Sequence, residues 1–216
     1  MQPTFTTKAF SLASSLNGIN RFSMFKLFHN ETVLEHIGMV AMFCYLVGQE
    51  VNKLSPDYVN MSTLLSKAVV HDIDETATGD LARPTKYYST TMRQEMARFE
   101  AAGVANIANM FAQPAIFELH RTAKEGREGY IVAIADFACA AHRCWEEVLI
   151  FGNHALVGPA YNMQALLPKF REQITNEMPN KIATFYADWL IEIEEVLQKV
   201  AARAVVSELL ELHNAH

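Results

Sequence analysis

Apolar residues recur every third or fourth position through nearly the whole of this chain, and nowhere do they alternate with polar residues at a spacing of two. The first spacing lays an apolar stripe along one face of a helix, whereas a half-buried strand needs strict alternation. An all-α fold is therefore expected. Its punctuation is legible in places. Thr32-Val33-Leu34-Glu35 has the form of a capping box, threonine first and glutamate three residues later. His36, Met39, Val40, Phe43 and Val47 follow it at helical spacing. Ser55-Pro56 is predicted to open the next helix, with proline in its first turn, and that helix runs through Leu64–Val70 into His71-Asp72. Thr78–Pro84 reads as a loop, broken by glycine and proline. A second capping box, Thr91-Met92-Arg93-Gln94, is predicted to open a helix to about Phe111. Gln113-Pro114 opens a short helix ending near Gly126, and a long apolar helix runs from Gly129 to about Phe151. Gly152–Pro159 reads as a loop, and stretches near 164–177 and 180–214 complete the set. With no repeat and no Pro/Ser-rich linker, the 216 residues read as one domain, 1–216. Its motif-bearing core lies at about 15–150 and its C-terminal helices at about 164–214.

Charge and cysteine usage narrow the partners. A formal charge of −6 and a pI near 5.7 argue against a nucleic-acid polymer, whose binders usually present a basic surface. Cys44, Cys139 and Cys144 form no CxxC pair and sit in apolar helical segments, as free buried thiols in a reducing compartment do. No run of about 18 apolar residues suits a membrane span, and the first residues lack a basic start followed by an apolar stretch. A cytoplasmic protein with no membrane partner is the expectation. Ile182, Tyr186, Trp189, Leu190, Ile193, Val196 and Leu197 recur at helical spacing near the C-terminus. They serve either as intramolecular core or as the contact of a homo-oligomer.

Three separated fragments carry the chemistry: Glu35-His36, His71-Asp72, and Asp136 within Ile131-Val132-Ala133-Ile134-Ala135-Asp136-Phe137-Ala138. A carboxylate amid small apolar neighbours is costly unless it is paired or bound to a metal. Arg143 and Arg121 are its conventional candidates for pairing. A lone His-Asp dipeptide is as often a helix end with a solvated acidic turn, here Asp72-Ile73-Asp74-Glu75, and a lone His36 is more often a core histidine than a ligand. Together, two imidazoles and two carboxylates on three helices make a nitrogen/oxygen donor set for one divalent metal. Cobalt, manganese, zinc, magnesium and iron are all within its range. Such a metal makes hydroxide from water near neutral pH, which is hydrolase chemistry.

The order His36, His71-Asp72, Asp136 resembles the HD-domain metal-dependent phosphohydrolases. Among them it is similar to bacterial 5′-deoxynucleotidases and related phage deoxynucleotide hydrolases. The matching stretches are Ile19-Asn20-Arg21-Phe22, Glu31–His36, His71–Leu81 and Pro84-Thr85-Lys86-Tyr87, with the Asp136 helix. The resemblance implies an HD-fold helical bundle in which His36, His71, Asp72 and Asp136 hold the metal. Glu75 and Asp80 would then line the same pocket as catalytic carboxylates. Arg21 would grip the 5′-phosphate, its guanidinium fork matching the phosphate oxygens, and Lys86 would add a second positive contact. Phe22 stands where the family pattern has tryptophan beside the sugar. The implied substrate is a small deoxynucleotide, first a 2′-deoxynucleoside 5′-monophosphate. The alternative is a triphosphohydrolase releasing tripolyphosphate from a deoxynucleotide such as dATP. The extra basic residues Arg83 and Lys124 (in His120-Arg121-Thr122-Ala123-Lys124) speak for it. A non-catalytic HD-like module is a third reading, opposed by the intact ligand set. An iron-dependent HD oxygenase is more remote, since it would need further ligand histidines.

Overall fold

The computed structural model describes residues 3–214; the side chains of residues 83, 84, 177 and 204–214 are outside the description. The chain is helical, and the one pairing of extended backbone among the described residues is the antiparallel bridge of Asn20 with Thr32. The helices are α1 (Phe5–Asn17), α2 (Val33–Leu54), α3 (Met61–Val70), α4 (Glu75–Thr78), α5 (Arg83–Lys86), α6 (Thr90–Phe111), α7 (Ala115–Arg121), α8 (Gly126–Trp145), α9 (Val157–Gln164), α10 (Leu167–Glu177) and α11 (Asn180–Asn214). A π-helical turn, Glu146–Ile150, extends α8, and a 3₁₀ turn, His154–Leu156, precedes α9.

Local side-chain chemistry starts several of these helices. The Thr32–Glu35 box forms in both directions: Glu35 N–H donates to Thr32 Oγ1 at 3.2 Å, and Thr32 N–H donates to Glu35 Oε2 at 2.7 Å. Thr4 caps α1 by accepting from Thr7 N–H at 3.2 Å, a helix the sequence reading had not singled out. Other starts depart from expectation. Ser55-Pro56 does not open a helix. The chain turns there, with Asp57 at φ 56°, and α3 begins after Asn60, whose side chain accepts Thr63 N–H at 2.9 Å. An asparagine that satisfies an orphan donor outweighs proline's preference for a first turn. Helix α6 is capped by Ser89, accepting from Met92 N–H at 3.1 Å, rather than by Thr91. Helix α8 begins at Gly126, earlier than the expected Gly129, and ends in the π turn, where Phe151 N–H reaches back five residues to Glu146 O. Part of the expected Gly152–Pro159 loop is helix, with Pro159 in the first turn of α9, where its missing N–H costs nothing.

The described residues form two compact units. One runs to Met24 and takes in Asn30–Gln49 and Val59–Ala133; the other comprises Phe25–His29, Glu50–Tyr58 and the chain from Ile134 onward. In the first, Leu16, Val33 and Ile37 make one buried cluster and Ile73, Val104 and Ile107 another, and Leu12 of α1 packs against both. Gly103 lets α6 lie close to α4: a Cβ there would stand 2.7 Å from Ala77 Cβ. In the second, α9 and α10 pack on α11, which buries Ile182, Tyr186, Leu190, Ile193, Leu197 and Val200. Those positions face core, and Phe137 meets Phe170 with ring centroids 5.0 Å apart. Each buried aliphatic side chain contributes about 1.5–3 kcal/mol. All three cysteines are buried, and none is in a disulfide. Among the described residues, no helix is long and apolar enough to cross a membrane.

Candidate metal centre

His36 sits in the first turn of α2, fully buried, where the Thr32 cap sets the helix's entry. His71 is the residue on which α3 ends, and Asp72 follows it. Asp136 lies on α8. These four residues each offer one donor atom, and the four atoms lie within 4.8 Å of one another. Three of the separations are 3.4 Å or less. His36 Nε2 is 3.4 Å from His71 Nε2 and 3.4 Å from Asp72 Oδ2, and His71 Nε2 is 3.1 Å from Asp72 Oδ2. Donors around a tetrahedral ion with bonds of about 2.0–2.1 Å stand about 3.3 Å apart. The donor set therefore fits a divalent metal in spacing as well as in chemistry. His71 is oriented for it: its Nδ1–H donates to Ala68 O at 2.7 Å, which turns Nε2 toward the other donors. Arg121 and Arg143, the conventional candidates for Asp136, have carboxylates of their own, Glu118 for the first and Glu146 and Glu147 for the second.

Around this set the carboxylates are pushed in opposite directions. Burial opposes ionisation of Asp72, but the charge of His71, hydrogen bonds from His36 and His71, and the charge of Lys124 outweigh it and hold Asp72 well below the usual carboxylate range. Glu75 is raised to about 9 by burial, then by the negative charges of Asp72 and Asp80, against a smaller opposing effect of Arg21. Its Oε2 is buried with no hydrogen bond. Glu75 thus carries a proton at neutral pH beside an ionised Asp72, as a group that donates a proton must. Burial also raises Asp80. Gly79, at φ 68°, turns the chain between α4 and Asp80, a conformation that L side chains resist. Asp80 Oδ2 accepts the Phe22 N–H at 2.5 Å.

That bond reaches the cationic side. Phe22 adopts φ 53°, a left-handed conformation uncommon for an aromatic residue. Arg21 N–H donates to Glu31 O at 2.8 Å, beside the Asn20–Thr32 bridge. The Arg21 guanidinium lies 5.4 Å from the centre of the Phe22 ring. Its Nη1 donates to Glu31 Oε2 at 3.0 Å and to His36 Nδ1 at 2.8 Å. Lys124 is close enough to act on Asp72. Lys86 is bound by Glu100 at 2.6 Å, so much of its charge is already met. The Arg83 side chain lies outside the described residues. Sequence reasoning missed Glu31, Glu100 and the pairing of His120 Nε2 with buried Asp74 Oδ1 at 2.9 Å. Only Glu31 had a signal, since it stands next to the capping threonine in a matching stretch.

Comparison with known proteins shows the family and the fold. A family model described as YfbR-like 5′-deoxynucleotidase matches residues 8–186. A 5′-deoxynucleotidase of Vibrio vulnificus is 29% identical over 185 residues, 82% of this chain and 92% of the relative. Among solved structures, an HD-domain phosphohydrolase from Listeria innocua aligns with a TM-score of 0.67 at 22% identity, covering 91% of this chain and 98% of the other. The HD phosphohydrolase of cyanophage S-2L, solved with dA and one catalytic Zn²⁺, aligns with a TM-score of 0.60 at 20% identity, covering 92% and 99%. The all-α HD-domain fold expected from the sequence is the fold these structures share.

Proposed function

This chain belongs to the YfbR-like 5′-deoxynucleotidase family, and we propose that it hydrolyses 2′-deoxynucleoside 5′-monophosphates to the deoxynucleoside and inorganic phosphate, using one divalent metal. The observation that carries the proposal is the convergence of His36, His71, Asp72 and Asp136 within 4.8 Å, with Arg21 against His36. In this reading those four residues hold the metal. When bound, it supplies hydroxide from water and polarises a phosphoryl oxygen. Arg21 offers guanidinium N–H groups to the phosphate oxygens, a bidentate match that lysine lacks. Glu75 gives its carboxyl proton to the departing 5′-oxygen, for which its raised pKa suits it. Asp80 holds the Phe22 backbone and so fixes the Arg21–Phe22 corner. Phe22 offers a ring face to the sugar. Catalysis then rests on positioning and charge complementarity, as in phosphoryl transfer generally.

A triphosphohydrolase is the second reading, and one observation favours it. Lys124 stands near enough to Asp72 to add a cation that a single phosphate does not need. Lys86 adds less, because Glu100 holds it. The monophosphate reading is preferred because the matching family model is that of 5′-deoxynucleotidases and Arg21 stands 2.8 Å from His36 Nδ1. The test is phosphate release by protein reloaded with Co²⁺, Mn²⁺ or Zn²⁺. Each deoxynucleoside 5′-monophosphate should yield phosphate, and chelation should abolish it. Protein holding one metal per chain yet inert toward all of them would overturn the proposal.

A further inference from the structure

Helix α2 buries one side and leaves the opposite side uncovered along nearly its whole length. Val33, Val40, Cys44, Val47 and Val51 are buried. Glu35, Gly38, Met42, Tyr45, Leu46 and Lys53 follow one another on the other side at helical spacing, and all are exposed. Met42 is 66% exposed, Leu46 54% and Tyr45 48%. A Cβ added at Gly38 would meet nothing within 4 Å. Single apolar side chains on a surface need no explanation, but three adjoining ones at the middle of a helix make a patch. At about 200 Å² per large side chain they expose roughly 350 Å² of apolar surface. A standard interface buries about 800 Å² per partner, somewhat over half of it non-polar. The patch supplies most of that non-polar share, and the methylene stems of Glu35 and Lys53 extend it.

The charges identify what covers it. Glu35 and Lys53 stand equally far from Cys44 along α2, near opposite ends, and so do Met42 and Leu46 nearer the middle. Take an antiparallel copy of the same helix, related by a twofold axis at the level of Cys44. It sets Met42 over Leu46 at the centre and Glu35 opposite Lys53 at both ends. A parallel copy would set Glu35 against Glu35 and Lys53 against Lys53. We propose that the outward face of α2 is the interface of a symmetric dimer of this chain, with the two α2 helices antiparallel. Such a contact is isologous, the same patch used twice. A crossing angle near 20° keeps the long end side chains within reach of each other, and Gly38 lets the second backbone come close. Lys53 can serve two carboxylates: an ammonium has three donors, and Glu50 Oε1 takes one at 2.6 Å. The end pairs fix direction and register more than they add affinity. The interface draws on no residue assigned to the metal centre, so it stands apart from the proposed reaction.

Sedimentation equilibrium of the full, metal-loaded chain tests this. Wild-type protein should show twice the mass of the 24.3 kDa chain. Leu46→Glu and Met42→Glu should each sediment as monomers with unchanged circular dichroism, because a dimer of either would bury unpaired carboxylates. The second variant serves if the first does not fold. Lys53→Glu should raise the dimer Kd by about tenfold or more at low salt, since both end pairs become repulsions. High salt should screen out most of that difference. Adding Glu35→Gln to Lys53→Glu should recover most of the loss while keeping the capping box, which glutamine also completes. Monomeric wild-type protein overturns the proposal and leaves the face to a partner of another kind. A dimer that survives both Leu46→Glu and Met42→Glu overturns it as well, because the contact then lies elsewhere. A Kd unmoved by Lys53→Glu at low salt refutes the antiparallel pairing.

Discussion

Replacing Glu147 with glutamine should cost about 3 kcal/mol at neutral pH, and that cost should shrink with acid. Glu147 is fully buried in the π turn after α8. Its carboxylate accepts from Phe28 N–H at 3.0 Å, His29 N–H at 3.1 Å, Arg143 Nη2 at 2.6 Å and Asn153 Nδ2 at 2.7 Å. Burial opposes the charge, but these four donors outweigh it and lower the pKa from 4.5 to about 2. A carboxyl held at about 2 instead of 4.5 corresponds to roughly 3 kcal/mol of stability in the ionised state. The folded pKa is the depressed one. The stabilisation is therefore complete above 4.5 and is lost as pH falls toward about 2. Glutamine keeps the shape, removes the charge and turns an N–H₂ toward groups that only donate, while Arg143 retains Glu146 at 2.7 Å. Urea unfolding followed by circular dichroism from pH 7 to pH 2 measures the gap between wild type and Glu147→Gln. A gap below about 0.5 kcal/mol at pH 7, the scale of an ordinary surface substitution, would refute the reasoning. So would a gap that stays constant across the range.

The remaining predictions concern the site. His71→Ala and Asp136→Asn should each lose bound metal and hydrolysis while helicity is kept; metal analysis beside circular dichroism decides, and normal turnover in Asp136→Asn would remove it from the ligand set. Glu75→Gln should keep the metal but lower kcat by about 10²-fold or more, the scale of a proton-transfer group. It should also abolish any fall in kcat caused by deprotonation of Glu75 as pH rises toward about 9. Arg21→Ala should raise KM for any phosphorylated substrate. Lys124→Ala should scarcely alter a monophosphate reaction but should cost a triphosphate one a charge-assisted contact, roughly 1.5–3 kcal/mol, so initial rates on dAMP and dATP separate the two readings.

What the sequence made legible follows the range of each interaction. The Thr32–Glu35 box lies within four residues, and α2 starts where that box predicts. Asp136 stood out because a carboxylate in an apolar run has no cheap local explanation. Local signals also misled when two competed. Pro56 and Asn60 can both begin a helix, and only the hydrogen bond of Asn60 to Thr63 N–H shows which does. The π turn leaves no periodic signature, since it shifts the register of a single turn. The partners that set charge at the site are separated by long stretches of chain: Arg21 and His36 by 15 residues, His120 and Asp74 by 46, Phe22 and Asp80 by 58. Residue types could therefore be read as candidates. The grip of Glu31 on Arg21, the claim of Glu100 on Lys86 and the opposed pKa values of Asp72 and Glu75 come only from folding.

The central claim is that one metal held by His36, His71, Asp72 and Asp136 hydrolyses the 5′-phosphate of a deoxynucleoside monophosphate. Its most direct test supplies metal-reconstituted protein with dAMP and dATP in separate reactions and separates phosphate, pyrophosphate and tripolyphosphate by ion chromatography. The account predicts inorganic phosphate and deoxyadenosine from dAMP, lost in His71→Ala. Tripolyphosphate from dATP with no reaction on dAMP would contradict it.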